Sequence, residues 1–386
     1  MNRVNTVQYI LQQWHGNTVH PHVNKVIDQL KKCRTAGQGY HVYRCGHEGC
    51  GHYHYRYHSC RNRHCPQCGS FQKQQWIEDR TAELLPTPYF HVVFTIPHTL
   101  NSMILGNRRQ LFKLLFDASA QTLLQLSKDE QYLGATPGIL SVLHSWGQQL
   151  SFHPHVHCIV SGGGLLENGA TAQWRPSVRK KGNFLFPLKA LSKIFRAKFL
   201  QGMKKLAAIK RIDIKDQCDF EKLINALWRE DWLVYAKKAF GGPQQVIHYL
   251  GSYTHKTAIS NHRIKQVNKQ EQTVSFSYKD YGDDSKQKVM TLSCGEFIRR
   301  FEQHILPKGF TRIRSYGYLS NRGRTGRIQA ITALMQIPAH PPRLKIPWQL
   351  RLLFQYGVQE QRCCYCGNLS LQVVKICYAS MLAEDG

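Results

Sequence analysis

His153-Pro154-His155-Val156-His157-Cys158-Ile159-Val160-Ser161-Gly162-Gly163-Gly164 carries the densest chemical signal in the chain. From His155 to Val160 it reads as a short buried strand, with β-branched residues held between Pro154 and a glycine run. Side chains alternate faces along a strand, so His155 and His157 point the same way. Two imidazoles on one rigid face can clamp a divalent metal. The bland alternative is a pair of hydrogen-bonded core histidines. The neighbouring Gln148 and Gln149, the glycine turn and the basic character of the chain favour the metal.

Working outward, Ile139–Trp146 reads as a second strand that turns back at Ser151-Phe152 to pair with the first. That return brings Gln148 or Gln149 close to the histidines, where an amide oxygen can serve as third ligand or simply satisfy backbone groups. Tyr89–Pro97 is a strand by its β-branched and aromatic content, stopped by Pro97. Arg108–Lys128 has the apolar spacing of a long amphipathic helix, and Phe71–Leu85 that of a connecting helix. Residues 1 to about 30 show helical periodicity with one break.

Between them, residues 40–69 are crowded with metal-ligand chemistry. Cys45-Gly46-His47-Glu48-Gly49-Cys50 is one pair and Cys65-Pro66-Gln67-Cys68 another, separated by a hairpin-sized alternating segment. Tetrahedral zinc takes four thiolate or imidazole ligands, so Cys45, Cys50, Cys65 and Cys68 are expected to share one structural zinc site. Cys60 and His64 are spare ligands, able to replace a member or to build a second site with His47 or Cys33. Arg61 and Arg63 flank the site and suit phosphate contact or a solvated face.

The chain has 386 residues, 52 Lys+Arg against 24 Asp+Glu, and a net charge of +28. The length suits two or three domains. The charge points to nucleic acid, because each phosphate neutralised releases counterions. The sequence lacks a long apolar run and a basic amphipathic anchor, which argues against a membrane partner. Met1-Asn2-Arg3-Val4-Asn5 does not begin a secretory signal, and 13 cysteines then suggest metal ligation in a reducing cytoplasm. Without a P-loop, nothing indicates a nucleotide cofactor.

In the second half, Trp174–Lys181 is a basic loop, and Pro187–Lys210 and Cys218–Trp232 are amphipathic helices. Pro243–Lys256 begins with a helix-starting proline and carries Tyr249 and Tyr253 on one helical face, with Lys256 on the same side. By itself such a pair is an ordinary core or interface pattern. Beside a metal clamp, a phenol becomes a usable nucleophile and a lysine can hold phosphate or lower the phenol pKa. Thr273–Tyr281 and Lys288–Leu292 read as paired strands, and Cys294–Leu306 as a helix. Thr311–Arg324 interleaves aromatics with arginines, including Arg312 and Arg314, a pattern suited to phosphate contact and base stacking. Pro338–Pro347 reads as a linker. Cys363 and Cys366 form a lone half-site with no second pair nearby, so zinc is not expected there. The expected domains are 1–85 (helical and zinc-binding), 86–330 (catalytic) and 331–386 (tail).

These motifs resemble the insertion-sequence-ninety-one family of bacterial transposases, two-tyrosine HUH endonucleases, over nearly the whole chain. Ser59–Cys68 is similar to the family's zinc-binding region, and Tyr89–His98 to its first catalytic strand. Trp146–Leu150 followed by His153–His157 is similar to its metal motif, and Tyr249–Lys256 to its nucleophile motif, with Ser252 where the family commonly has arginine. The resemblance implies an α+β fold: an HUH-type antiparallel sheet flanked by helices, behind an N-terminal zinc-binding domain. It implies that His155, His157 and Gln148 hold Mg²⁺ or Mn²⁺, and that Tyr253 or Tyr249 attacks single-stranded DNA to form a 5′-phosphotyrosine. The zinc domain and basic loops would bind the element's ends, as single strands or hairpins. Two other readings stay open: a replication initiator of the same chemistry, and a non-catalytic zinc-dependent DNA-binding protein. Few acidic residues speak for a carboxylate-triad transposase.

Overall fold

The computed structural model describes every residue except 1–3, 17, 82, 169–170, 178–185, 239–244, 246–250, 252–256, 339–346, 348, 351–352, 355–356, 358 and 380–386. Two compact units emerge: Met1–Gly69 with His340–Gly386, and Ser70–Ala339.

In the first unit, α1 (Val7–Trp14) is capped by Thr6, whose hydroxyl accepts the Tyr9 N–H at 3.1 Å. Helix α2 (Pro21–Lys32) starts on a proline, where the missing N–H costs nothing. Val7, Ile10 and Leu11 of α1 and Val23, Val26, Ile27 and Leu30 of α2 are buried, and the two helices pack together. Strands β1 (Gly39–Cys45) and β2 (Tyr53–Tyr57) form an antiparallel hairpin. The other edge of β1 pairs antiparallel with the C-terminal strand Leu371–Tyr378. A tail standing apart over 331–386 is therefore not found: its strand completes the first unit's sheet. A bare two-stranded hairpin is marginal in water, and the third strand relieves that. Most of the expected linker, 338–347, lies outside the described residues.

The second unit begins with α3 (Gly69–Thr81), β3 (Tyr89–Thr95), α4 (Asn101–Gly106) and α5 (Arg108–Lys128). Then come β4 (Thr136–Trp146), β5 (Phe152–Asn168), β6 (Thr171–Pro176), α6 (Leu188–Ala208), α7 (Gln217–Arg229) and β7 (Val234–Lys238). A meander of β8 (Ile264–Asn268), β9 (Thr273–Asp280) and β10 (Lys286–Ser293) follows, then the helix Cys294–Glu302 and β11 (Ile313–Gly317). The main sheet is antiparallel, in the order β11-β4-β5-β3-β7, with β6 on β5. The fold class is α+β, an antiparallel sheet flanked by helices.

Strand β5 runs to Asn168, straight through the glycine run expected to end it. The glycines serve close packing instead of a turn. A Cβ on Gly163 would come within 2.2 Å of the Trp174 ring, and one on Gly162 within 2.8 Å of the Pro88 carbonyl. Inward-facing Phe94, Val156, Cys158 and Val160 pack with Leu111, Leu115, Phe195, Phe199 and Leu227 from α5, α6 and α7. The opposite face of β5 carries His155 and His157. At the centre of the core the rings of Phe94 and Phe195 lie 4.8 Å apart, both fully buried. Phe195→Ala is expected to cost about 3–5 kcal/mol, because the cavity it leaves between strand and helix cannot fully collapse. Urea unfolding followed by far-ultraviolet circular dichroism checks this; a loss under about 1 kcal/mol would contradict such packing.

Candidate functional site

Register assembles the imidazoles. In the β4–β5 ladder His144 lies directly opposite His155, and Val142 opposite His157. The ligand-capable nitrogens of His144, His155 and His157 all lie within 4.8 Å of one another. His155 Nδ1 donates to the His153 carbonyl at 2.7 Å, which leaves Nε2 as the atom with a lone pair to offer. His157 Nδ1 and His91 Nε2, the latter on β3, are 2.9 Å apart with the rings nearly parallel. Such outer partners fix the tautomer and orientation of a metal-binding histidine. Burial pushes the pKa values of His91 and His155 down to about 4 and lowers that of His153. At neutral pH these rings are therefore uncharged, as ligation requires.

The trio opens into a cleft of about 1110 Å³ that Lys237, Arg263, Lys279, Tyr281 and Gln245 also line. The connection from β4 to β5 is clamped by basic groups from downstream. Arg263 donates to the Gln148 carbonyl, Arg300 to that of Gln149 at 3.0 Å, and His304 Nε2 to that of Leu150 at 3.2 Å. Leu150 sits at φ 58°, a left-handed conformation that this clamp holds in place.

Of the residues expected at the site, His155 and His157 come together. Gln148 lines the same cleft, but its amide donates to the Tyr281 hydroxyl at 3.3 Å, and the third nitrogen beside the pair belongs to His144. Tyr249, Tyr253 and Lys256 lie outside the described residues. Arg312 and Arg314 are not a free DNA-contacting pair. Arg312 is buried over the Trp146 ring at 4.7 Å and donates to the Leu143 carbonyl, and Arg314 lies over Phe116 at 4.5 Å and near Asp117. The rings beneath both guanidinium groups, Trp146 and Phe116, come from distant parts of the sequence, so this cation–π packing is visible only in the fold. Arg61 and Arg63 are exposed.

The cysteines regroup. Cys45 and Cys50 do not meet Cys65 and Cys68; the first unit holds Cys33-Cys60-Cys65-Cys68 and Cys45-Cys50-Cys363-Cys366 as two separate sets. In the first set the Sγ separations are 3.4 Å (Cys33–Cys68), 3.6 Å (Cys33–Cys65) and 3.7 Å (Cys60–Cys68). Zinc with four bonds of about 2.3 Å needs sulfur–sulfur edges of about 3.8 Å, so the set fits the ion. Hydrogen bonds from neighbouring thiols pull Cys68 and Cys33 toward thiolate, while the same crowding pushes Cys60 and Cys65 up. Only a bound cation lets all four ionise together. The Cys33-Cys60-Cys65-Cys68 cluster therefore suits structural zinc.

Among solved structures, the relaxase TrwC complexed with a 27-mer DNA comprising the recognition hairpin and the cleavage site overlaps at 12% identity. The overlap covers 42% of this chain and 71% of that chain, with a TM-score of 0.23. A likeness that loose assigns no residue a role. Sequence relatives are far nearer. Residues 138–326 match the family described as "Putative transposase", and residues 5–96 match the "Transposase zinc-binding domain". The chain is 42% identical over 336 residues to "Putative transposase y4qJ" of Sinorhizobium fredii (strain NBRC 101917 / NGR234), covering 85% of this chain and 82% of that protein. It is 30% identical over 349 residues to "Transposase for insertion sequence element IS801" of Pseudomonas savastanoi pv. phaseolicola, covering 89% and 81%. The chain belongs to the insertion-sequence-ninety-one family of transposases. No described helix in this family member is long and apolar enough to cross a membrane.

Its buried imidazoles set an acid limit on the second unit. Burial holds His304 near pKa 4, like His91 and His155, whereas an unfolded histidine titrates near 6.5. Between those values the unfolded chain binds more protons, so stability is full above about 6.5 and falls as pH drops toward 4. For the fully enclosed His304 the shift is worth about 3 kcal/mol. Thermal melts across this interval should show Tm falling steadily with acid and falling less steeply in His304→Gln. Identical slopes would remove His304 from the account.

Proposed function

We propose that this chain is a rolling-circle transposase that nicks and rejoins single-stranded DNA at the ends of a mobile element. The observation that carries this reading is the His144-His155-His157 trio, held on a rigid sheet at the floor of a basic cleft. The trio would hold Mg²⁺ or Mn²⁺. When bound, the ion supplies Lewis acidity at the scissile phosphate. Three imidazoles are softer ligands than Mg²⁺ prefers, so the donor set favours Mn²⁺ or another imidazole-binding divalent ion.

The rest of the chemistry falls to the chain. Lys237, Lys279 and Arg263 line the cleft and suit the backbone phosphates. Gln245, four residues before Tyr249 in the sequence, lines it too, which favours Tyr249 and Tyr253 as the nucleophiles, with Lys256, three residues after Tyr253 in the sequence, to hold phosphate. Attack by a tyrosine oxygen forms a bond to phosphorus and breaks the bond from phosphorus to the 3′ oxygen. That leaves a 5′-phosphotyrosine and a free 3′-hydroxyl. The covalent link keeps the phosphodiester energy for rejoining, so the chemistry requires no nucleotide cofactor. A second tyrosine permits another transfer before the first end is released.

The test is a labelled single strand bearing the element's end, incubated with Mn²⁺ or Mg²⁺ and resolved on a denaturing gel. Wild type should give a metal-dependent covalent adduct, and the Tyr249→Phe/Tyr253→Phe double variant none. His144→Ala and His155→Ala should each lower the adduct rate by about a hundredfold or more while zinc content stays unchanged. Full activity in His144→Ala would return Gln148 to the third position. A wild type that binds the strand but never forms an adduct would favour the non-catalytic reading, and nicking confined to a replication origin the initiator reading.

The first unit offers a surface for the strand itself. Tyr53, Tyr55 and Tyr57 are exposed at alternate positions of β2, about 6.8 Å apart along one face. Tyr40 touches Tyr55 and Tyr57, and the Arg44 guanidinium lies over Tyr53 at 5.8 Å. Base–aromatic stacking is worth about 1–3 kcal/mol per base. Replacing Tyr53, Tyr55 and Tyr57 together by Ala should weaken single-strand binding at least tenfold in a fluorescence anisotropy titration, with zinc retained. Unaltered affinity would move the DNA to another face.

A further inference from the structure

The zinc-binding domain match ends at residue 96, yet two of the eight clustered cysteines, Cys363 and Cys366, come from far beyond it. We propose that Cys45, Cys50, Cys363 and Cys366 form a second zinc centre, independent of Cys33-Cys60-Cys65-Cys68, that fastens the C-terminal segment onto the first sheet.

The geometry is that of a metal cage. Four sulfurs converge, with Cys45–Cys366 at 3.6 Å and Cys50–Cys363 at 3.8 Å. A disulfide would draw one pair to about 2.05 Å and leave the others without a reason to gather. Each half of the cage is a tight turn built on glycine. Gly49 and Gly51 adopt φ 78° and 59° around Cys50, and Gly367 adopts φ 75° after Cys366. The Gly367 N–H closes back on the Cys363 carbonyl at 3.0 Å. This Cys-x-x-Cys-Gly turn repeats the pattern Cys65–Gly69 of the first cluster.

Outer groups complete the site. The Ser370 hydroxyl lies 3.1 Å from Cys45 Sγ, and His54 Nε2 lies 3.2 Å from Cys363 Sγ. Hydrogen bonds to ligating sulfur stabilise thiolate and orient it. Tyr365 stacks on His52 at 3.7 Å. Cys45 and Cys363 are buried while Cys366 is exposed, so one side of the cage stays open for an ion to enter.

Energetics give the site its purpose. The C-terminal strand buries Leu371 and Cys377, with exposed residues between them. Two partly apolar side chains contribute only a few kcal/mol, about 1.5–3 each at most. Against this stands the closure of a loop that runs from Cys50 to Cys363, an entropic cost that backbone pairing on one edge of β1 must otherwise carry alone. Zinc held by four thiolates is worth far more than that deficit, and its binding free energy becomes docking free energy for the strand.

The test uses the full chain, purified without chelators. Elemental analysis should find two zinc ions per chain in wild type and one in Cys363→Ser/Cys366→Ser. Cys60→Ser/Cys65→Ser should also hold one, and Cys364→Ser, which alters a thiol outside the cage, should hold two. Hydrogen exchange followed by mass spectrometry should show amides of Leu371–Tyr378 exchanging at least tenfold faster in Cys363→Ser/Cys366→Ser. Those of β5 should stay as protected as in wild type, which verifies that the variant is folded. Two zinc ions retained by that variant, or unchanged exchange in Leu371–Tyr378, would overturn the proposal. So would a wild type whose Cys45, Cys50, Cys363 and Cys366 are recovered as disulfides without zinc.

Discussion

The antiparallel register of β3, β5 and β4 is the constraint on which the second unit depends. It sets His144 opposite His155, and it sends Val156, Cys158 and Val160 into the helical layer while His155 and His157 face the cleft. A slip of one residue would reverse every one of these assignments, putting imidazoles into a core of phenylalanine and valines onto the cleft. Register is therefore fixed by hydrophobic burial on the face opposite the chemistry. The core contributes stability and the site inherits precision. The glycines of β5 belong to the same device, because they let Trp174 and Pro88 close on the strand without shifting it.

Burial also tunes the imidazoles. Desolvation disfavours the charged forms of His91 and His155, which suits His155 to the ion proposed there. Positive charge is supplied instead by Lys237, Lys279 and Arg263 around the cleft. Protonated histidines would serve phosphate binding equally well but would exclude the ion. On the proposed function, imidazole ligands at the floor and cations on the walls would divide the two tasks.

Much of this was legible in the sequence, and what was not has identifiable causes. The strand periodicity from His155 to Val160, the span Arg108–Lys128 and the meander strands β9 and β10 follow from local pattern, whereas β8 does not stand out. His144 did not stand out, because a lone histidine two residues before Trp146 is ordinary until strand pairing gives it a partner. Counting back across the turn from His155 would have located it. The cysteine grouping is hidden for a related reason: the cysteines nearest in sequence are not all nearest in space. Cys33 supplies the first cluster from the end of α2, and Cys363 supplies the second across nearly the whole chain. Arg312 and Arg314 are not distinguishable in the sequence from DNA-contacting arginines, because the rings that take their guanidinium groups, Trp146 and Phe116, are remote from them along the chain.

On the proposed function, the two metal chemistries would be kept apart by ligand type. Every member of the clusters in the first unit is a thiol, and every member of the cluster in the second unit is an imidazole. Thiolates hold zinc far more tightly than they hold magnesium or manganese, whereas three imidazoles from two adjacent strands would form a weaker and less selective site. A structural ion must stay bound through folding and turnover, so a closed tetrahedron of charged sulfur suits it. A catalytic ion must keep open positions for a phosphate oxygen, so fewer and neutral protein ligands suit it. The thiolates can fill first and draw zinc away from the imidazoles. Selectivity at the cleft would then follow from the cysteine clusters as well as from the histidines themselves.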